Sequence, residues 1–275
     1  MYLVTFTRKM GTSGSEIAMM VAGQLQYKLY DTEAIENTAR EMGFLNDVKV
    51  VDEKAPSLFE RLFSHRPEIY LDRLNSVIYE LASRGNAVFL GRGSHVLLRT
   101  LKCALHVRVT ASMEKRLRNL MKRGFQKEEA MRALRKSDHE RAAFIKFAFG
   151  VDWDDPEQYD VVFNMDNLTV DLAVDTVVQM ARAEEIKARS IDAMISLEMM
   201  GLTKRVEAAL IEAGFSLTSL SVSVAEPGRI ELGGSVDVQS DKDKAEKVIR
   251  QVKGVKFVHN QIQAGRVREG FARGV

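Results

Sequence analysis

A chain of 275 residues with 45% hydrophobic and 28% charged side chains has an ordinary globular composition and is long enough for two domains. Forty Lys+Arg against 38 Asp+Glu leave a net charge of +2, which excludes binding of nucleic acid or membrane by bulk charge and requires a local patch for either. Cys103 is the single cysteine, so an intramolecular disulfide is excluded and a reducing compartment fits.

Residues 2–7 read as a strand, with no charged leader or apolar h-region ahead of them. No apolar run approaches the ~20 residues that span a bilayer. These features read as cytoplasmic. Gly11-Thr-Ser-Gly14-Ser15 then opens a helix whose apolar residues Ile17, Met20, Val21 and Leu25 recur at helical spacing, with Ser13 or Ser15 as N-cap. A short strand, Tyr27 to Tyr30, precedes Asp31-Thr32, either of which is placed to cap a helix running through Met42.

Residues 45–68 carry no clear pattern. A helix from about Glu68 to Arg84 ends at Gly85-Asn86, and Ala87 to Leu90 is an unbroken apolar run suited to a buried parallel strand. Gly91-Arg92-Gly93 terminates that run. Ala104 to Val109 reads as a strand, 111–123 and 126–148 as charged helices parted by Gly124, Val161 to Phe163 as the last strand and Thr169 to Lys187 as the closing helix. This alternation implies a mainly parallel sheet covered on both faces, with ligands at the carboxyl ends of its strands.

From about residue 188 the pattern changes. A polar helical stretch reaches Met199. A compact unit follows: helix 202–213, strand 217–224, a turn at Glu226-Pro-Gly228, strand 229–236, helix 241–252 and strand 255–262. The boundaries read as a nucleotide-binding domain over 1–187, a helical linker over 188–199, a second domain over 200–265 and a frayed tail over 266–275.

Three constellations can carry chemistry. In a Gly-rich turn that opens a helix, backbone N–H groups converge where the helix dipole adds positive potential, which suits a phosphate. The G-x-x-x-x-G-K-[ST] pattern is absent, and Arg8 and Lys9 on the strand side are the cations that can replace its lysine. The plain alternative is a tight strand-to-helix turn. Arg92, flanked by glycines, can reach a phosphate or a base, or it can be a structural arginine paired to a carboxylate. The basic run Lys115, Arg116, Arg118, Lys122, Arg123, Arg132, Arg135, Lys136 and Arg141 can form a helical lid that cancels charge in phosphoryl transfer, or a solvated face. It lacks the aromatic interleaving of a nucleic-acid surface, and no nucleic-acid partner is expected. The five histidines are scattered and read as structural or exposed.

Taken in order, these positions resemble the cytidylate kinase-like family of bacterial P-loop nucleotide kinases, from about Tyr2 to Met180. Thr7-Arg8-Lys-Met-Gly11-Thr-Ser-Gly14-Ser-Glu16-Ile17-Ala18 is similar to its serine-arginine-x-x-glycine-serine-glycine-glycine-x-glutamate-isoleucine segment. Tyr30-Asp31, Leu90-Gly91-Arg92-Gly93, Leu105 to Ala111, Asp138 with Arg141, and Tyr159-Asp160 with Asn164 follow at suitable spacing. The resemblance implies a nucleoside monophosphate kinase fold, ATP with Mg²⁺ as donor and CMP or dCMP as acceptor. It assigns Arg8, Gly11, Thr12, Ser13, Gly14 and Ser15 to the donor phosphates, with Ser15 or Thr12 near the metal. Asp31 and Arg92 face the acceptor. Arg116, Arg135, Asp138 and Arg141 fall on the catalytic lid side.

Residues 200–265 resemble a BON domain in Val206–Leu210, in Arg229 to Val236 with Gly233-Gly234, and in Lys253-Gly254-Val255. That resemblance implies a module for phospholipid or small-ligand contact with no chemistry of its own. Two rival readings use the same features: a nucleotide-binding regulator without turnover, and a membrane-surface adaptor on a kinase-like scaffold. Nothing in the sequence specifies an oligomeric state.

Overall fold

The computed structural model describes residues 3–42, 67–183 and 190–265. The unpatterned stretch 45–66, the expected end of the closing helix at 184–187 and the tail from 266 lie outside the described residues. The chain divides into two compact units, Met1–Ser64 with Val77–Met194 and His65–Ser76 with Ile195–Val275.

The first unit is built on a five-stranded, all-parallel sheet. In chain order its elements begin with β1 (Leu3–Arg8), α1 (Gly14–Leu25), β2 (Lys28–Tyr30) and α2 (Thr32–Glu41). The helix α3 (Pro67–Ser83), in which the division between units falls, leads to β3 (Ala87–Leu90), the short α4 (Ser94–Leu97) and β4 (Ala104–Thr110). Then come α5 (Met113–Lys122), α6 (Lys127–Phe149), a 3-10 turn at Pro156–Gln158, β5 (Val161–Asn164) and α7 (Val170–Ala181). Spatially the strands run β2-β3-β1-β4-β5. This is the parallel α/β sheet that the alternation of elements implied.

Strand alternation divides β1 and β4 between two chemically different layers. Val4, Phe6, Leu105, Val107 and Val109 pack with Ile17, Ala18 and Val21 of α1 and with Ala173, Val174 and Val177 of α7. Thr5, Thr7, His106 and Arg108 occupy the opposite face and are also buried. They pair with one another and with neighbours: Thr5 Oγ1 with His106 Nδ1 at 2.8 Å, Thr7 Oγ1 with His95 Nδ1 at 3.3 Å, and Arg108 with Tyr159 Oη at 2.9 Å, while the buried His106 Nε2 has no hydrogen-bond partner among the described residues. A polar layer inside the sheet's own domain thus lies beneath the carboxyl ends of β1 and β3.

The second unit contains α8 (Ser190–Glu212) from Ile195 onward, β6 (Leu220–Glu226), β7 (Arg229–Val236), α9 (Gln239–Arg250), β8 (Phe257–Asn260) and β9 (Gln263–Ala264). β6 pairs antiparallel with β7, while β8 and β9 both pair parallel to it. Leu202, Val206 and Leu210 of α8 meet Leu220, Ile230, Leu232, Ile249, Val258 and Ile262 in one apolar core. Asp72, on the part of α3 that belongs to this unit, takes an ion pair from Lys204 at 3.0 Å. Two details differ from the sequence reading. Gly201 does not interrupt α8, which runs as one helix through it. The closing strand is split, because the Asn260 side chain turns the chain by accepting from the Ile262 amide at 3.1 Å.

Candidate functional site

The loop between β1 and α1 is held open from outside. Gly11, at φ 82°, and Ser13, at φ 63°, turn the chain through the left-handed region. Thr12 Oγ1 donates to the Lys9 carbonyl at 2.8 Å and accepts from the Gly14 amide at 3.3 Å. Asn119 Nδ2 donates to the Gly11 carbonyl at 2.8 Å, and Arg116 Nε to the Met10 carbonyl at 2.6 Å. With its carbonyls tied back to α5, the loop presents its amides forward. Among the described residues the N–H groups of Gly11, Ser13 and Ser15 have no protein acceptor. Ser13 occupies the N-cap position, yet neither serine caps α1 through its side chain, so these helix-end donors stay available to an anion.

Gly14 is glycine for a packing reason. A Cβ there would stand 2.5 Å from Arg8 Cβ and 3.1 Å from Val109 Cβ, and its φ lies outside the left-handed region. Buried against β1 and β4, it sets how closely α1 approaches the sheet.

A second feature adjoins this loop. A cavity of about 210 Å³ opens at the carboxyl ends of β1 and β3, where Thr7, Arg8, Gly91, Arg92 and Gly93 line one side. Glu140, Arg141, Phe144 and Ile145 of α6 line the other, joined by Thr32, His95 and Trp153. The Arg8 Nε donates to Ser15 Oγ at 3.3 Å, and the Arg8 carbonyl accepts from Arg141 at 2.6 Å. Arg92, itself at φ 57°, pairs with Glu36 of α2. Burial, then the neighbouring Arg141 and Arg92, push the Arg8 guanidinium down to about 10, against a smaller opposing pull from Asp31. Burial lowers Arg141 as well. The cavity thus carries three arginines and Glu140 beside the rings of His95, Phe144 and Trp153.

The sequence-derived candidates fall into three places. Gly11, Thr12, Ser13, Gly14 and Ser15 make the loop. Arg8, Arg92 and Arg141 line the cavity, and Asp31 sits at its border, where it caps α2 by accepting from the Ala34 amide at 2.9 Å while Thr32 beside it faces the cavity. Arg116 and Asp138 meet behind the loop in a two-pronged pair with both bonds at 2.8 Å. Arg135 is exposed on α6 and lies apart from both features. Lys9 turns away to Asp154, at 3.0 Å, beside the Trp153 ring.

Trp153, His95, Thr7 and the apolar side chains of α6 were not among the sequence candidates. For the last, a signal existed: Glu140, Arg141, Phe144 and Ile145 recur at the spacing of one helix face. The folded position of Trp153 depends on Arg108, which donates to its carbonyl and pairs with Asp154 next to it. No group of three or more His, Cys, Asp or Glu suited to a metal occurs among the described residues.

A parallel sheet in the order β2-β3-β1-β4-β5, with a glycine-bearing loop opening α1 and an arginine-lined cavity next to it, defines a P-loop kinase-like scaffold. The chain belongs to the cytidylate kinase-like family, whose model matches residues 3–167. Residues 201–266 match the BON domain. A search of curated proteins gives no match. Among solved structures, an uncharacterized protein from Eubacterium ventriosum ATCC 27560 is 20% identical over 66% of this chain and 97% of its own, with a TM-score of 0.53. A shikimate kinase from Bacteroides thetaiotaomicron is 15% identical, over 66% and 99%, with a TM-score of 0.40. A gluconokinase from Sinorhizobium meliloti 1021 is 13% identical, over 69% and 97%, with a TM-score of 0.42.

Proposed function

We propose that the first unit transfers the γ-phosphoryl group of ATP to a nucleoside monophosphate of the CMP or dCMP type. The observation that carries this reading is the adjacency of two anion-seeking features at one end of the sheet: the loop with unused amides and the arginine-lined cavity. The donor set of the loop fits a nucleotide phosphate tail, because its backbone donors converge at a helix N-terminus and Ser15 adds an exposed hydroxyl there.

On this reading Gly11, Thr12, Ser13, Gly14 and Ser15 hold the donor phosphates, with Ser15 or Thr12 next to Mg²⁺. Bound Mg²⁺ would supply charge neutralisation on those phosphates. Asp31 and Arg92 orient the acceptor, Trp153 and Phe144 offer apolar surface to its base, and Arg141 adds positive charge from α6. Arg116 and Asp138 act behind the loop by fixing its carbonyls, and Arg135 is left to approach from the exposed face of α6. The decisive experiment is a coupled ADP-release assay over a panel of nucleoside monophosphates. Turnover with CMP or dCMP is expected, and no turnover with any of them refutes the assignment.

A reading without turnover is favoured by one observation: Lys9, the lysine nearest the loop, is held by Asp154. A regulator of that kind would bind ATP·Mg²⁺ in calorimetry and release no ADP. For the second unit we propose phospholipid or small-ligand contact without catalysis, in a protein of the cytoplasm. No helix among the described residues is long and apolar enough to cross a membrane. Co-sedimentation of the full chain with anionic vesicles tests the lipid assignment. We propose that the boundary between the domains falls within 188–199.

A further inference from the structure

Arg8 is a partly buried cation that lines the cavity without an ion pair among the described residues. Arg92, Arg108 and Arg116 each have a carboxylate, from Glu36, Asp154 and Asp138. Among the described residues, Arg8 and Arg141 have none within ion-pair distance, although both are partly buried and both line the same cavity; Asp31 acts on Arg8, and Asp138 and the cavity-lining Glu140 on Arg141, only from farther off. Like charges gathered away from water without a counterion are unfavourable unless a ligand brings the missing charge.

The side chain of Arg8 also reaches from the loop to the end of β3. It leaves β1 beside the loop, touches Ser15 in passing, and spreads over β3, where its Nη1 lies 2.8 Å from the position a Cβ on Gly91 would occupy. Gly91 is the residue whose bare backbone makes room for it. The guanidinium therefore bridges the first turn of α1, through Nε, and the Gly91 end of the cavity that Arg92 and Arg141 also line, through Nη1.

We infer that Arg8 serves the acceptor: with Arg141 it holds the acceptor's phosphate monoester in the cavity, and its bond to Ser15 links that site to the first turn of α1. The inference rests on the kinase reading for the identity of the acceptor, whereas the anion site stands on the arginines alone.

The experiment uses the full chain and three probes, CMP, cytidine and inorganic phosphate, titrated in the presence of saturating ATP·Mg²⁺, with ATP·Mg²⁺ titrated separately. Arg8→Gln and Arg141→Gln should each weaken CMP at least about tenfold, the loss of a charge-assisted contact. Arg8→Lys should recover part of it. ATP·Mg²⁺ should change less than about threefold, and the exposed control Lys127→Gln should change nothing. Cytidine should bind weakly, and inorganic phosphate should compete with CMP. Removal of an uncompensated charge should leave the ligand-free Tm of Arg8→Gln equal to or above that of the parent, which a purely structural arginine would not.

Equal losses for ATP·Mg²⁺ and CMP would put Arg8 on the donor side and overturn the inference. A lower ligand-free Tm with unchanged CMP affinity would make it structural and overturn it too. If phosphate binding is lost in Arg8→Gln while the parent turns over no monophosphate, the anion site stands and the kinase reading falls. If the parent turns over CMP and Arg8→Gln keeps the parental KM for it, the kinase reading stands and the inference falls.

Discussion

The guanidinium of Arg116 grips the Asp138 carboxylate through two bonds of 2.8 Å while its Nε donates to the Met10 carbonyl at 2.6 Å. One side chain thereby joins α5, α6 and the loop that precedes α1. The pair is nearly inaccessible on the arginine side, at 3%, and three-quarters covered on the aspartate side, at 24%.

Breaking such a pair from one end leaves its partner uncompensated and costs on the order of 3 kcal/mol. Asp138→Asn is expected to lower stability by about that amount in urea unfolding. It should also weaken ATP·Mg²⁺ in calorimetry, because the loop loses its anchor. A variant with parental stability and weakened nucleotide binding would show instead that Asp138 acts on the ligand directly.

Gly14→Ala tests packing. Its Cβ would fall 2.5 Å from Arg8 Cβ, an atom fixed to the backbone of β1 that cannot swing aside. Overpacking of this kind costs about 1–3 kcal/mol. The expectation is a lower Tm together with weaker ATP·Mg²⁺ binding, since α1 must move away from the sheet. The turn lies at the end of the sheet, but Gly14 is buried, so loss of binding with an undisturbed fold is not expected.

His95 contributes to the acid dependence of stability. Burial, then the charges of His106, Arg108 and Arg99, hold its imidazole down to about 3 from an ordinary 6.5. Such a group is neutral in both states above pH 6.5 and contributes no pH dependence there. Between pH 6.5 and about 3 the unfolded chain takes up the proton and the folded one does not, so stability falls as pH falls. His106 is shifted the same way, chiefly by burial, and adds in the same direction. At pH 5 the His95 contribution alone is about 2 kcal/mol of lost stability relative to pH 7. Urea midpoints at the two pH values measure it, and His95→Gln should flatten the dependence.

Gly234→Ala addresses the second unit. Gly234 sits at φ 109° in β7, and a Cβ would stand 2.1 Å from the Ser219 carbonyl oxygen that precedes β6. Backbone strain and a backbone clash act together, and a loss of at least about 3 kcal/mol is expected. Hydrogen exchange of the β6 and β7 amides should accelerate. If the boundary lies in the stretch 188–199, the unfolding transition reported by Trp153 should stay at its parental midpoint.

Much of this architecture is written locally in the chain. Alternating elements, the Asp31 cap on α2, the apolar run of β3 and the Pro227-Gly228 hairpin depend on residues within a few positions of one another, and the order of motifs from Thr7 to Asn164 was enough to recognise the family. The Gly11–Ser15 turn, the Arg92 strand end and the basic helices were legible for the same reason: each is a short pattern with its own physical meaning.

What the sequence could not contain was which of those patterns meet. Arg8 and Arg141 are 133 residues apart and share one cavity, while Arg116 and Arg135, close to Arg141 in sequence, lie behind the loop and on the open face of α6. The requirement for glycine at 14 comes from Arg8 and Val109, and the space at Gly91 is filled by Arg8. Trp153 reaches the cavity because Arg108, a β4 residue on the polar face of the sheet, holds its carbonyl. Helical and strand periodicity determine the face on which a residue lies, whereas the partner of that face is set by strand order and by packing across the whole domain, and the charge balance of the site follows from that packing.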